Sequence, residues 1–316
     1  FAYGVDGVFR LFGDDYFTLR AAQTFDDDMS SERNFDSGYL TAQLERRRRQ
    51  GWGYRSTVAA MGPDYNPGIG FAQRQDFVQV EQSVQYSWVP GEDSRLIYQT
   101  LDVTGFAYVR NTDDEIESGQ IQAEWKYSFK SGQNAGLQAS MMQEDLLQPF
   151  SLSESAQVPT GNYSFWQIGG YYYMTHTALK QIGGSIHAGT FYDGRQYSLS
   201  LRPRWYISKH LELSGEYYYV LVDFPDRDQQ FESHIGRLRI GAALNTKLST
   251  NAFIQYNRVN ESLSTNIRFR YNFREGNDLW IVFNNDVGGF DPLSRFNYAF
   301  SRNRTILGKY TYTFKM

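Results

Sequence analysis

The chain has 316 residues, of which 17% are aromatic, and its 31 Lys and Arg against 35 Asp and Glu give a formal net charge of −4. This weak negative charge offers no attraction for nucleic acid, and no run approaches the roughly 18 consecutive apolar residues of a transmembrane helix. The chain contains no cysteine, which excludes disulfide bonds, iron–sulfur clusters and thiol redox chemistry.

Apolar and polar residues alternate with a period of two along nearly the whole chain, which predicts β-strands. In chain order, the pattern is clearest in segments 121–129, 197–207, 211–221 and 266–274. Their apolar faces carry aromatic residues near the ends, as expected for strands of about 9–11 residues that cross a membrane at a tilt. The alternative is a soluble sheet with one solvated face.

The predicted connections between strands sort by length. Every long connection has an even position in the series, and these are 26–37, 62–71, 147–161, 225–230 and 287–302. Outer-membrane barrels alternate short periplasmic turns with longer external loops, whereas a soluble sandwich or propeller has no reason to do so. We therefore predict an all-β fold, a transmembrane antiparallel up-and-down β-barrel of about 16–18 strands.

The predicted strands run from Ala2–Leu11 to Arg304–Lys315 and number about 17, whereas closed bacterial barrels usually have an even number. We therefore expect one further strand upstream of Phe1 and interpret residues 1–316 as the C-terminal barrel domain of a longer outer-membrane protein. The last strand is alternating and aromatic, as in an outer-membrane insertion signal, although Met316 rather than an aromatic residue ends it.

Alternation along a barrel strand places successive side chains toward lipid and toward the lumen. The residues predicted to face lipid are Leu199, Trp205, Tyr217, Phe269 and Tyr271. The residues predicted to line the lumen are Arg202, Arg204, Glu212, Glu216, Arg237, Arg239, Arg268, Arg270 and Arg274. These charges either form an Arg/Glu ion-pair lattice that stiffens the wall or line a path that selects anionic or sugar-like solutes. The two roles are compatible.

Several motifs resemble one family. They are Gly4–Gly7, Asn66–Phe71 with Arg74 and Asp76, Phe191–Gly194, Gln255–Asn257, Leu263–Tyr271 and the closing Lys309–Phe314, with Asn251–Asn284 the most specific part. The chain is similar, over nearly its whole length, to an uncharacterised bacterial outer-membrane β-barrel family whose full-length members carry an N-terminal family-nine-like carbohydrate-binding module. The resemblance implies such a module before residue 1 and no catalytic residues.

Three other groups invite a functional interpretation. Of the four histidines, only His234 approaches the predicted outer rim, beside Glu232, and we interpret it as a hydrogen-bonding residue rather than a catalytic one. The clusters Asp26–Asp28 and Asp223–Asp228 could bind calcium, but neither has a complete calcium-loop pattern, and solvated loops are the simpler interpretation. Arg46–Arg49 is expected to anchor a strand end to lipid headgroups.

The sequence thus predicts a Gram-negative outer-membrane, porin-like protein that is a channel or transport component for polar solutes, carbohydrate-like ones among them. The alternative is a structural anchor, or a barrel that docks an envelope protein partner, with a plugged lumen. We expect neither enzymatic activity nor a cofactor or metal, and the expected partners are outer-membrane lipid and a polar solute, not nucleic acid.

Overall fold

The computed structural model describes residues 1–25, 35–68, 70, 72, 74–289 and 301–314. Its first strands are β1 (Ala2–Arg10), β2 (Asp15–Thr24), β3 (Gly38–Arg46), β4 (Gly51–Met61), β5 (Phe77–Trp88), β6 (Leu96–Arg110), β7 (Ile116–Phe129) and β8 (Asn134–Leu146). The next are β9 (Phe150–Ser153), β10 (Ala156–Val158), β11 (Gly161–Tyr173), β12 (Lys180–Gln181), β13 (Gly183–Phe191), β14 (Gly194–Leu201) and β15 (Arg204–Ser208). The last are β16 (Leu211–Phe224), β17 (Gln229–Ala243), β18 (Leu248–Asn257), β19 (Ser262–Arg274), β20 (Asn277–Gly288) and β21 (Ser301–Thr311).

Within the described ranges, the one helical element is a 3-10 turn at Pro225–Arg227. No helix there has the length and apolar character needed to cross a membrane.

The long strands form one antiparallel sheet in which each strand pairs with its neighbours in sequence, so the predicted all-β, up-and-down order is confirmed. The β9–β10 hairpin forms a separate two-stranded sheet. No described pairing joins β1 to β21, so the sheet is open between these two strands and the predicted closure into a barrel is not seen.

The segment predicted as one strand, Tyr197–Ile207, is two strands in the structure. Pro203 lies between β14 and β15, and because proline has no N–H it cannot donate to the ladder. The register nevertheless continues across the break, with Leu201 opposite Tyr217 and Arg204 opposite Ser214 on β16. The alternation of faces is therefore preserved through the interruption.

The register divides the sheet into two faces. Thr104, Gln122, Ser140 and Gln167 lie opposite one another on consecutive strands and define what we call the polar face. One residue along, Ile121, Met141 and Trp166 lie in register and define the apolar face. Their exposed fractions are 63%, 59% and 50%, so this face has no covering layer among the described residues.

Consecutive connections alternate between the two edges of the sheet because every pairing is antiparallel. One edge carries turns such as Gly51 and Gly276, both at positive φ, where glycine adopts the conformation without strain. We call this edge the short-turn edge. The opposite edge carries the connections 62–76 and 147–160, and we call it the long-loop edge. For the predicted long loops 26–37 and 287–302, most residues lie outside the described ranges.

Candidate functional site: the charged polar face

The strongest candidate site is the part of the polar face that spans β14 to β20, where the predicted arginines cluster. Opposed residues on neighbouring strands point to the same side of a sheet. Glu216 lies opposite Arg237, Arg237 opposite Gln255, and Gln255 opposite Ser264, so these side chains share one face. Arg204, Glu212, Arg239, Arg268 and Arg270 have the same parity in the same registers.

Two ion pairs bridge neighbouring strands at the centre of this region. Arg204 Nε lies 3.2 Å from Glu212 Oε1, and Arg237 Nη1 lies 3.0 Å from Glu216 Oε2. Arg237 also donates through Nε to Gln255 Oε1 at 2.9 Å. The exposed fractions of the four charged side chains run from 33% to 45%, so solvent screens them and each pair contributes no more than about 1 kcal/mol.

Aromatic rings on the same face contact several of the arginines, which the sequence had not indicated. Tyr218 accepts a hydrogen bond from Arg202 Nη2 at 3.0 Å, and its ring centroid is 5.7 Å from both the Arg202 and Arg237 guanidinium carbons. The corresponding distance is 5.2 Å for Arg239 and Phe253. These cation–π contacts hold the guanidinium planes without neutralising their charge.

The remaining predicted arginines have different surroundings. Arg270 Nε donates to Asp278 Oδ1 at 2.8 Å, a partner that sequence reasoning missed because it lies on the next strand across a tight turn. A register shift between Asn272 and Arg274 moves Arg274 out of the row, and its Nη2 donates to Tyr312 Oη at 2.9 Å. Arg268 has no described carboxylate partner.

Near the long-loop edge the polar face becomes apolar, because a hairpin lies over it. Val158 of β10 is fully buried, and Val222 and Phe224 of β16 are 1% exposed. Their burial contributes roughly 1.5–3 kcal/mol for each side chain. Segment 147–161, predicted as a plain loop, thus contains the β9–β10 hairpin, which we call the hairpin cover.

Polar contacts fasten the hairpin cover to strands far from its origin between β8 and β11. The Gln157 N–H donates to Gln229 Oε1 at 3.2 Å, and Arg227 donates to the Gln157 carbonyl. Arg227 also pairs with Asp193 at 2.7 Å. The hairpin therefore reaches from β8 across to the β16–β17 connection and crosses the intervening strands.

A second cover comes from the described residues of segment 62–76, on the other half of the sheet. Tyr65 packs against Tyr39, Met61 and Phe77 in a buried apolar cluster. Arg74 closes its far side, with Nη1 3.1 Å from Glu117 Oε2 and its guanidinium 4.4 Å from the Tyr108 ring. Two loops from the same edge therefore fold back over the polar face.

The five residues predicted to face lipid all lie on the apolar face. Leu199, Trp205 and Tyr217 lie opposite Tyr219, Leu213 and Gly236, respectively. Phe269 and Tyr271 lie opposite Ile281 and Leu279. Trp205 and Tyr271 are 44% and 36% exposed.

His234 also lies on the apolar face, near the long-loop edge, within a polar cluster. Its Nδ1 is 2.7 Å from Tyr217 Oη, and its Nε2 is 3.3 Å from Glu232 Oε1. Glu232 also accepts from Tyr219 Oη at 3.2 Å and pairs with Arg258 at 3.0 Å. The carboxylate thus lies within 3.3 Å of polar atoms from three side chains, and we interpret the group as a polar anchor near a strand end.

The other groups singled out by sequence make local contacts. Arg46 forms an ion pair with Asp15 at 2.6 Å, and Arg48 with Asp14 at 3.0 Å, both at the short-turn edge. Asp223–Asp228 does not form a group that could hold a metal, nor does any other set of His, Asp and Glu in the described ranges. Asp26–Asp28 lies outside them.

No protein-family model matches the chain, and no curated protein matches its sequence.

Proposed function

We propose that the sheet closes into a β-barrel in the bacterial outer membrane and conducts small polar solutes through a lumen formed by its polar face. The observation that carries this proposal is the contrast between the two faces. The apolar face is exposed across strand after strand, from Val58 on β4 through Ile121 on β7 to Ile281 on β20. Exposed apolar surface on this scale needs a partner, and lipid fits a sheet with one such face.

The placement of charges supports a membrane around the apolar face. Along the described strands, the charged residues of this face lie toward the strand ends, as Asp15 and Arg46 do at the short-turn edge and Glu232 and Arg258 at the other. The polar face instead carries charges in the middle of its strands, for example Arg237 and Glu216. A hydrocarbon layer imposes this distribution, because a lipid-facing charge is most costly at the bilayer midplane.

For the sheet to close, the backbone N–H and C=O groups on the outer sides of β1 and β21 need hydrogen-bond partners, because unpaired backbone groups are costly in lipid. Both strands run from the long-loop edge to the short-turn edge, so they are parallel to each other. Either a parallel β1–β21 pair or one further strand, antiparallel to both, would complete the barrel. Barrels with an odd number of strands use the first solution.

The second candidate function is an anchor with a closed lumen, and the two covers favour it. The hairpin cover and the described residues of segment 62–76 both pack on the polar face at the long-loop edge, where they would narrow the opening of a lumen. The ion pairs of the central region would then stiffen the wall. The two functions predict different conductance for the same fold.

Conductance in planar lipid bilayers separates the two functions. The refolded chain should give discrete, ohmic single-channel steps if the lumen is open, and a chain that inserts without conducting would assign the anchor function. Insertion is measured independently in vesicles with single cysteines, which this cysteine-free chain permits. A bimane label at Ile121 should be quenched by a lipid-phase quencher, whereas the label at Gln122 should not.

A further inference from the structure

We propose that the polar face contains a binding site for a monoanionic sugar acid, a class of ligand that joins one carboxylate to several hydroxyl groups. The site is a cavity of about 700 Å³ formed by β15 to β20. This inference rests on the proposed function, because it names the class of solute that the lumen would hold.

The cavity exists because a glycine, Gly241, occupies one position in the row of opposed residues that runs across β16, β17 and β18. Gly241 lies opposite both Glu212 on β16 and Asn251 on β18. A Cβ built on Gly241 would approach its nearest neighbours, Asn251 Oδ1 and Glu212 Cβ, only to 3.7 and 4.0 Å. Arg239 and Asn251 therefore border an open floor on the polar face.

Two arginines at this floor keep their charge available. Arg239 contacts the ring of Phe253, and neither Arg239 nor Arg268 forms an ion pair with a described carboxylate. The other arginine in the lining, Arg204, is already paired with Glu212. Guanidinium groups without a carboxylate partner are suited to bind a ligand carboxylate through two parallel hydrogen bonds.

The remaining polar groups of the cavity match hydroxyls. Asn251, Asn266 and Asn284 present amide groups, and Asn266 Nδ2 donates to Asn284 Oδ1, which leaves the outer amide atoms of that pair for a ligand. Asp286 adds a carboxylate that can accept from hydroxyls. Phe253 provides an apolar surface for the carbon face of a sugar ring.

The charge balance selects among ligands. Three arginines and two carboxylates line the cavity, so its net charge is +1 when all five are ionised. A uronate carries a single negative charge and matches this value. A dianionic phosphate would face Asp286 and Glu212 with excess charge, and a neutral hexose would leave the two free guanidinium groups without an anionic partner.

Isothermal titration calorimetry on the folded full chain in detergent tests the assignment. Glucuronate should bind, and glucose, which differs at the carboxylate, should bind at least about tenfold more weakly because a charge-assisted contact is lost. R268Q should weaken glucuronate binding at least about tenfold. The matched control R55Q removes an arginine paired with Glu81 on a distant part of the polar face and should leave the affinity unchanged.

Equal binding of glucose and glucuronate, tighter binding of inorganic phosphate, or no binding of any of the three would overturn the proposal. The comparison of ligands on the unmodified chain stands even if R268Q does not fold, which heat-modifiable migration on gels reports. Failure of the site is distinguishable from failure of the channel. Conductance without glucuronate binding would refute only the proposed binding site. Glucuronate binding without conductance would refute only the proposed transport function.

Discussion

The substitution Ile121→Lys tests whether the apolar face contacts lipid. Ile121 lies near the middle of β7 and is 63% exposed, between Gly105 and Met141 on the neighbouring strands. A lysine at the lipid-facing midplane of a barrel costs about 2–4 kcal/mol of folding free energy. In a soluble sheet the same side chain would extend into water, and the cost would reduce to the difference in β-propensity, which spans about 1 kcal/mol.

Equilibrium unfolding by guanidinium in lipid vesicles measures this difference. The matched control is Gln122→Lys, one residue along on the polar face, where Gln122 lies opposite Thr104 and Ser140. That change should stay within about 0.5 kcal/mol, as for other solvated positions. If Ile121→Lys costs less than about 1 kcal/mol, or no more than the control, lipid does not cover this face and the reasoning fails.

Three further predictions concern packing, the hairpin cover and pH. Gly189→Ala should destabilise the sheet by about 1–3 kcal/mol, because its new methyl group would overlap backbone on β11, whereas Gly236→Ala, with no atom within 4 Å, should be nearly neutral in the same unfolding assay. Val158→Asp should displace the hairpin cover, because an unpaired carboxylate is unfavourable at a fully buried position. The variant should therefore show higher conductance and faster protease cleavage within 147–160. Unchanged conductance and cleavage would contradict the role of the hairpin as a cover. The Arg110 guanidinium lowers the pKa of Asp113, so this pair stabilises the fold at neutral pH and the stabilisation is lost as the pH falls through the lowered pKa. Asp113→Asn should therefore lower the unfolding midpoint at pH 7 and have less effect toward pH 3, and an equal effect at both would contradict the shift.

The sequence predicted the regular part of the fold because its signals are local. Alternation with a period of two specifies both the strand and its faces, and antiparallel neighbours then place Glu216 beside Arg237. Backbone interruptions were harder to predict. Pro203 splits a predicted strand, and the register shift before Arg274 turns that residue toward Tyr312.

Long-range packing could not be predicted from the same signals. Segment 147–161 was expected to be a loop because its length and position matched an external connection. Its alternation of Phe150 and Leu152 with serines was a signal for a short strand, but nothing in the sequence indicated that the hairpin would fold onto Val222 and Phe224. Val222 and Phe224 lie at polar-face positions of β16, where the alternation predicts polar residues. Their apolar character reflects burial under the hairpin cover rather than an error in the alternation.

The exposure of the central charges bears on whether a plug would fill the proposed lumen. Arg204 and Glu212 are 45% and 39% exposed, whereas Val222 beneath the hairpin cover is 1% exposed. The described loops therefore cover the apolar zone near the long-loop edge and leave the charged zone open. A plug in that zone would have to supply hydrogen-bond partners for every charge that it removes from water, because each charged group left unpaired costs more than the roughly 1–3 kcal/mol of a neutral one. Water meets this demand without any specific fit, and the charged zone is in this respect better suited to a wet path than to a packed interface.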